Sequence, residues 1–484
     1  MKNKKNPRKH HPRSGNTKSG LKVWRGRFES GPAELMERFS NSLEVDRAMW
    51  QEDLAVNHAW TKALRAAKII TPSEASEILQ ALRTIEEEFR RGCFQFQPHD
   101  EDIHVAIERR LTELVGESGA KIHTGRSRND QVVTDFRLYL KRKVRELKTA
   151  FRNLVSVVVE QAEASQKIIM PGYTHTQQAQ PIRLSHYLLS AFYALRRHCR
   201  QLEQFSERID ELPLGCGALA GAAFPIDRKL LARELGFARV MENSVDATGT
   251  RSFCSEIVFI CADICITLSR YCHDLILWSS QEFGFVDPGE KFATGSSMMP
   301  NKKNPDAFEL MRGKAAVVIG LLAGLLSLQK GIPVAYSRDL QEDKKTVFEA
   351  LKITQDSLEV FAGALATCRF RADKMEAAID SGLFATDIAD YLVRKGVSFR
   401  QAHHLVAQAV QHAERVAFRL HELPIAFWKA LHPAFDDDVM KCFDAAVSVE
   451  RRNIIGGTSF RQVKNQLRQA KKWLSRTNKG VGFS

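Results

Sequence analysis

The sequence predicts an all-α protein of three domains around a central bundle of long helices. Helical periodicity dominates the chain, and we identify neither an internal repeat nor a period-two strand longer than a few residues. The middle third holds five long segments with helical apolar spacing, over 132–166, 184–208, 252–283, 305–328 and 339–368. A helix of about 30 residues reaches roughly 45 Å, which is typical of an extended bundle. Because several apolar stripes are wide, we expect subunits to pack together through this bundle.

The segments on either side of the bundle have shorter helical patterns and more turns. Thr71, Pro72 and Glu74 form a helix start, with Thr71 as the N-cap, proline in the first turn and Glu74 closing a capping box. We therefore predict domains over 21–125, 126–375 and 376–484, which follow a basic tail over 1–20.

Positive charge is concentrated at the N-terminus. The 484 residues carry a formal net charge of +14, and half of that excess lies in the first twenty residues, which contain no acid. We interpret this tail as a disordered, solvated extension rather than a nucleic-acid-binding arm, because no aromatic residue is interleaved for base stacking. Nucleic acid is therefore not an expected partner. The excess on the remaining chain suits an anionic substrate.

The cysteines and the apolar runs indicate the cellular compartment in which we expect the protein. None of the nine cysteines forms a C-x-x-C pair, and Cys254, Cys261, Cys265 and Cys272 follow one helical face, as buried thiols do. We expect no metal site. The N-terminus lacks the apolar segment of a signal peptide, and the longest uncharged apolar run, 315–329, is shorter than the roughly 20 residues of a membrane span. These features predict a cytoplasmic protein without membrane association.

Three stretches between the long helices are rich in Gly, Ser, Thr, His and Asn, and they cover 171–181, 213–225 and 287–304. Loops between rigid helices commonly carry catalytic groups. The first stretch contains one histidine, His175, among hydroxyls and amides. A histidine is the simplest general acid or base near neutral pH, although a structural role is the more common one for a single histidine.

The stretch over 287–304 places Ser296 ahead of Lys302 and Asn304. We predict that Asn304 caps a helix whose first residue is Pro305. Backbone N–H groups, a cation and an amide would then converge, as a carboxylate or a developing oxyanion requires. An exposed, capped loop without a chemical role explains the pattern about equally well.

A polar turn from His123 to Gln131 precedes the first long helix. Arginines, a serine and Asn129 in this turn can hold a dicarboxylate in forked geometry. The alternative is a polar capping turn in which Asn129 or Asp130 is the N-cap.

Together and in this order, these motifs resemble the fumarase/aspartase superfamily, whose signature Gly-Ser-Ser-x-Met-Pro-x-Lys-x-Asn matches residues 295–304. The run that begins at His123 and the run over 336–344 are similar to argininosuccinate lyases rather than to adenylosuccinate lyase, fumarase or aspartase. The resemblance covers roughly residues 21–484 and includes an opening motif over 23–28. It implies a three-domain fumarase/aspartase-like fold whose bundle tetramerises, with active sites that are shared between subunits.

The resemblance also implies an activity. This is the reversible β-elimination of argininosuccinate to arginine and fumarate, the last step of arginine biosynthesis, without a cofactor. Ser296 and His175 are the implied acid–base pair: Ser296 takes the Cβ proton and His175 protonates the leaving nitrogen, although family accounts differ on which is the base. Lys302 and Asn304 stabilise the aci-carboxylate, and Glu309 orients His175.

The remaining residues that the resemblance implies bind the substrate. The succinyl carboxylates are held by Ser42, Arg128, Asn129 and Thr174. The arginine end is held by Tyr336, Gln341 and Lys344.

The chain departs from the family pattern at two places. Thr250 and Ser252 stand where the family usually has acids on either side of Arg251, and Gln178 stands where arginine is common. One alternative function is a related lyase with another substrate, such as adenylosuccinate. The other is a non-catalytic, crystallin-like protein, which would be expected to have lost Ser296 or His175, and both are present.

Overall fold

The computed structural model describes residues 32–478, and helices account for most of this part of the chain. The basic tail over 1–20 and the opening motif over 23–28 lie outside the described residues. The all-α fold class with a fumarase/aspartase-like architecture is confirmed.

The described residues of the N-terminal body form six α-helices, and three of these supply most of one apolar core. The helices are α1 (Glu34–Ser40), α2 (Leu43–Asp46), α3 (Trp50–Ala66), α4 (Pro72–Arg90), α5 (Ile103–Val115) and α6 (Glu117–Ala120). The three that supply the core are α3, α4 and α5. The predicted capping box is present at α4: the Glu74 N–H donates to Thr71 Oγ1 at 3.2 Å, and the Thr71 N–H donates to the Glu74 carboxylate at 2.7 Å. The core around Trp60 also takes in Leu212 and Leu231 from later in the chain.

Five long helices form the central bundle, as predicted. They are α7 (Arg128–Ala164), α8 (Leu184–Arg208), α11 (Ser252–Ser279), α12 (Asp306–Gln329) and α13 (Asp343–Thr367). Two short helices, α9 (Arg228–Leu235) and α10 (Ser244–Gly249), lie between α8 and α11 in sequence. The predicted segment over 339–368 begins with a separate 3₁₀ turn, Arg338–Glu342, before α13.

The C-terminal part contains the remaining helices, α14 (Ala372–Ala377), α15 (Ala385–Arg394), α16 (Phe399–Arg415), α17 (Ile425–Leu431), α18 (Ala445–Arg451) and α19 (Phe460–Asn478). Its own core is centred on Trp428. The last helix, α19, packs instead against α7 and α8, where Val463 and Trp473 join the core of the bundle. The bounds 21–125, 126–375 and 376–484 remain predictions.

Eight short strands occur in the described residues. They are β1 (Ile169–Thr174), β2 (Gln177–Arg183), β3 (Glu211–Leu212), β4 (Arg239–Val240), β5 (Val286–Asp287), β6 (Thr294–Gly295), β7 (Lys303–Asn304) and β8 (Arg369–Phe370). The antiparallel pair β1–β2 corrects our expectation that strands would extend over only a few residues. Its two-residue turn, His175 and Thr176, has positive φ values of 53° and 59°, the geometry that matches the twist of a hairpin.

The bundle leaves apolar surface uncovered in a single chain. The four cysteines of α11 are buried as predicted, but Phe259 on the same helix is 53% exposed, so α11 is not apolar core on every face. On α12, Leu310 is 64% and Leu326 is 53% exposed. Among the described residues, Ser252–Trp278 and Asp306–Gln329 are long and apolar enough to cross a membrane, although the apolar run over 315–329 alone is too short. Within one chain, α12 therefore presents an exposed apolar surface.

Candidate active site

A cleft of about 1140 Å³ opens where α1, α2, the first turn of α7 and the segment before α13 meet. Six of the predicted substrate-binding residues line it: Ser42, Arg128, Asn129, Tyr336, Gln341 and Lys344. These residues come from three stretches that are far apart in sequence. The cleft is thus a product of the tertiary fold.

The first turn of α7 carries Arg128 and Asn129 along one wall of the cleft. The N-cap is Ser127, so our prediction of Asn129 or Asp130 as the N-cap is wrong. Ser127 Oγ accepts the Asn129 N–H at 3.2 Å, and the Asp130 carboxylate accepts the Ser127 N–H at 3.0 Å. This reciprocal capping box satisfies two N–H groups, which a cap by Asn129 or Asp130 would not do here. The Arg128 Nε atom lies 3.5 Å from the Asp102 carboxylate.

The floor of the cleft carries Lys344, which is buried with its Nζ atom 3.5 Å from Asp46 Oδ1. Ser42 donates a hydrogen bond to the other oxygen of Asp46. Burial raises the pKa of Asp46, against the opposing effect of Lys344. Burial alone would lower the pKa of Lys344, but the neighbouring Asp46 and Asp343 carboxylates raise it above its ordinary value. Lys344 is therefore a cation at the floor of the cleft.

Burial also raises the pKa of Tyr336, whose phenol therefore stays protonated as a hydrogen-bond donor. Gln341 donates to the Ser40 carbonyl at 3.0 Å, which connects the last residue of α1 to the segment before α13. Both side chains line the cleft.

Arg251, which lacks the usual acids beside it, pairs with an acid that is distant in sequence. Arg251 is buried, and its Nε donates to Asp343 at 2.6 Å, while a second nitrogen donates to the Thr250 carbonyl at 2.8 Å. The hydroxyls of Thr250 and Ser252 lie 3.3 Å apart. The charge of Arg251 is thus matched by Asp343 in this chain.

Sequence reasoning missed three residues that line the cleft: Asp46, Asp102 and His104. The His104 Nδ1 atom lies 2.6 Å from the Asp53 carboxylate, and its buried Nε2 atom has no hydrogen-bond partner among the described residues. The acidic run over 100–102, just before His104 in the sequence, was the available signal.

The group Asp53, His104 and Asp135 could offer metal ligands, since their ligand atoms lie within 4.8 Å of one another. Gln131 donates at 2.5 Å to the same Asp53 oxygen that His104 contacts. Burial would raise the pKa of Asp53, but His104 and Arg126 hold it below its ordinary value. His104 and Gln131 thus hold Asp53 as the anion of this group, whereas burial raises the pKa of Asp135 well above its ordinary value.

His175 and Thr174 lie at the tip of the β1–β2 hairpin, where both are exposed. The hairpin is attached to the segment after α14 by Gln178, which donates to the Ala378 carbonyl at 2.9 Å and accepts the Asp380 N–H at 3.3 Å. Gln178 thus has a structural role in this chain.

Ser296 lies in the loop between β6 and β7. Its Oγ accepts the backbone N–H groups of Met298 at 3.2 Å and Met299 at 3.0 Å. Two N–H groups aimed at one hydroxyl oxygen stabilise negative charge on it. Lys302 lies in the same loop and is exposed.

Asn304 is not the N-cap of α12, because it pairs with Thr294 in the β6–β7 ladder. The helix begins one residue later than predicted, at Asp306, with Pro305 at the cap position. The Asp306 carboxylate instead accepts the Thr294 N–H at 3.0 Å and so closes the loop. Glu309 is exposed on the first turn of α12, and no contact between it and His175 is found among the described residues.

Within one chain, the cleft lies at one end of the bundle, and the His175 hairpin and the Ser296 loop lie at the other end. The cleft includes the first turn of α7, while β1 follows the last turn, and a helix of 37 residues spans about 55 Å. The loop before α12 lies at the far end too, because Arg312 lies 3.4 Å from His273 near the end of α11. The residues that one chain does not bring to the cleft are Thr174, His175, Ser296, Lys302, Asn304 and Glu309.

Comparison with known proteins extends these findings. The family profile described as "Lyase" matches residues 26–320, and the one described as "Argininosuccinate lyase C-terminal" matches residues 382–450. The chain is similar to argininosuccinate lyase of Roseiflexus castenholzii, with 46% identity over 93% of this chain and 99% of the relative. It is also similar to argininosuccinate lyase of Schizosaccharomyces pombe, with 44% identity over 93% of this chain and 98% of the relative.

Solved structures show the same architecture. An EDDS lyase variant with bound fumarate is 26% identical, with a TM-score of 0.79, and the match covers 90% of this chain and 88% of that one. The class II fumarase of Schistosoma mansoni is 16% identical, with a TM-score of 0.72 over 85% of this chain and 92% of that one, and supports the fold alone.

Proposed function

This chain belongs to the argininosuccinate lyase family, and from that premise we propose how its own residues carry out the reaction. The protein is a carbon–nitrogen lyase that splits argininosuccinate into arginine and fumarate by β-elimination, as in arginine biosynthesis. The observation that carries the proposal is the cleft, which unites Ser42, the start of α7 and the Tyr336–Lys344 segment.

The cleft offers groups that suit both ends of the substrate. Arg128 and Asn129 suit the succinyl carboxylates, together with Ser42 from the same chain and Thr174 from a neighbouring copy. Tyr336, Gln341 and Lys344 suit the arginine end. The buried Asp46, beside Lys344, fixes that lysine in the cleft.

The chemical step follows from the two loops at the far end of the bundle. Ser296 removes the Cβ proton, because the Met298 and Met299 N–H groups stabilise the anionic oxygen that must form. Lys302 and Asn304 stabilise the aci-carboxylate, a dianion that is costly without nearby positive charge. His175 protonates the departing guanidino nitrogen, and Glu309 orients His175.

A complete site therefore needs more than one chain. We propose a homotetramer in which the cleft, the His175 hairpin and the Ser296 loop come from three different subunits. The exposed apolar side chains of α12 support this assembly. Only 22% of the most apolar stretch of this helix is buried within one chain. Antiparallel packing of two bundles would bring the cleft end of one against the loop end of another.

We propose a cytoplasmic location and no membrane association. All nine cysteines are free thiols, and eight of them are buried, which suits a reducing compartment. The two long apolar helices belong to the bundle, where protein rather than lipid would cover them.

The direct experiment mixes purified protein with argininosuccinate and follows the ultraviolet absorbance of fumarate. We expect absorbance to rise, and no rise with adenylosuccinate as the matched control. A rise with adenylosuccinate alone would transfer the assignment to the related lyase, and no rise with either would contradict the proposed function.

A further inference from the structure

The glycine-rich loop over 213–225, which the proposed reaction leaves without a role, lies against the first turn of α7. Three of its glycines, Gly215, Gly217 and Gly221, have positive φ values of 90°, 58° and 87°. Residues with a Cβ atom rarely adopt these conformations. The loop therefore has a defined backbone shape that depends on glycine.

Asp130 joins this loop to α7. Its side chain is fully buried, and its Oδ2 atom accepts the N–H groups of Gly215 and Gly217, each at 2.9 Å. The other oxygen, Oδ1, accepts the Ser127 N–H at 3.0 Å. One carboxylate thus caps the helix and anchors the loop at the same time. Because these three donors are backbone groups, a shift of Asp130 would move the main chain itself.

The far end of the loop contacts the turn that precedes α7. A Cβ atom built on Gly125, which has a φ of 74°, would lie 2.8 Å from the Phe224 ring. The ring therefore rests directly on the Gly125 backbone. Phe224 is 43% exposed, so its removal would not open the core.

We propose that Asp130 is a positioning residue, which holds Arg128 and Asn129 in place for the succinyl carboxylates by fixing loop 213–225 behind them. This inference rests on the proposed function, because that function gives Arg128 and Asn129 their task. The three residues share one helical turn, with Asp130 facing the loop and the other two lining the cleft. A displacement of about 1 Å at such groups is enough to weaken binding strongly.

The test is Asp130→Asn. Asparagine has the same shape but only one oxygen, so its NH₂ group must face either the Ser127 N–H or the N–H groups of Gly215 and Gly217. We expect the KM for argininosuccinate to rise about tenfold with kcat within about threefold, the result of losing binding that is equal in ground and transition states. Hydrogen–deuterium exchange should become faster at Gly215 and Gly217.

The matched control is Asp444→Asn. The Asp444 carboxylate also accepts two backbone N–H groups, those of Ala446 and Val447, but it caps α18 in the C-terminal part of the chain. We expect KM and kcat of this variant to equal those of the wild type. An equal rise of KM in the control would overturn the specific role of Asp130.

A second variant, Phe224→Ala, tests the same clamp if Asp130→Asn does not fold. It leaves the carboxylate in place, and we expect KM to rise about threefold without a change in oligomeric state. The positioning role would be overturned if KM were unchanged in the variants that fold. It would also be overturned if only kcat fell, together with the melting temperature. A wild-type protein that forms no fumarate would overturn the proposed function, and unchanged exchange at Gly215 and Gly217 in Asp130→Asn would separately overturn the anchoring.

Discussion

The Nζ atom of Lys344 lies 3.5 Å from Asp46 at the floor of the cleft, and both side chains are buried. Lys344→Met keeps the length of the side chain but leaves Asp46 without its cation. We expect this variant to lose about 3 kcal/mol of stability, the usual cost of an unpaired buried charge. The KM for argininosuccinate should rise at least about tenfold, because a charged hydrogen-bond donor is lost. Urea unfolding and initial rates measure the two effects.

Lys345→Met is the control for this variant, since Lys345 is the next residue on α13 and is exposed. It should change neither stability nor KM. If the stability and the KM of Lys344→Met were the same as those of Lys345→Met, Lys344 would have no part in binding the arginine end of the substrate.

Ser296→Ala removes the hydroxyl that accepts the N–H groups of Met298 and Met299. We expect kcat to fall about a thousandfold, the range for loss of an acid–base group, while the substrate still binds. Rates and equilibrium binding of argininosuccinate separate these outcomes. Ser297→Ala, in the same loop, should retain most of the rate. Full turnover by Ser296→Ala would move proton abstraction to another group.

Mixing two inactive variants tests whether one site draws on several chains. Asn129→Ala damages the cleft, and Ser296→Ala damages the loop at the other end of the bundle. If both are unfolded and refolded together, random assembly should give about a quarter of the wild-type activity, because half of the clefts and half of the loops are intact and combine independently. The separately refolded variants should stay inactive. No recovery in the mixture would contradict sites shared between chains.

Asp130 should make stability depend on pH in an acidic window. Burial raises its pKa to about 6, although the Gly217 and Ser127 N–H groups and Arg126 act against this shift. Because the folded pKa lies above the ordinary value of 3.8, the native state holds the proton more tightly than the unfolded chain. The stabilisation is therefore present below about pH 4 and is lost as pH rises through about 6.

Asparagine at this position does not titrate. Between pH 4 and 7 the wild type should lose about 3 kcal/mol of stability relative to Asp130→Asn, as expected for a shift of about two pKa units. Urea-unfolding midpoints over that range measure the difference. A difference that stays constant with pH would show that Asp130 titrates normally.

The long helices could be predicted from the sequence because apolar residues that recur every three or four positions define one buried face. The bounds of α8 agree with the predicted 184–208, and the Thr71 capping box is present. Apolar spacing and capping residues are sufficient to predict these helices, because each pattern depends on residues within one or two helical turns.

The β1–β2 hairpin could not be predicted in this way. Its turn uses positive φ at His175 and Thr176, residue types that do not signal such a turn, and Pro171 pairs with Pro181 where a strand would not be expected. The N-cap of α7 was misassigned because several polar residues stand in a row there, and each of them is a suitable N-cap. In the structure Ser127 is the N-cap, and it forms a capping box with Asp130.

The candidate site was identified from motifs, whereas its geometry depends on packing. Periodicity alone does not indicate that Ser42, Asn129 and Lys344 share a cleft, because that contact depends on how α2, α7 and α13 meet. Asp46 and His104 were missed for the same reason: their chemical setting is created by burial against residues distant in sequence.

Because α7 is 37 residues long, it keeps the cleft and the His175 hairpin of one chain far apart. In the assembly that we propose, a newly made chain can complete its cores and still lack a working active site. The onset of turnover would then follow second- or higher-order kinetics in protein concentration. Dilution, or a subunit damaged at only one end, would then silence sites in chains that are themselves intact.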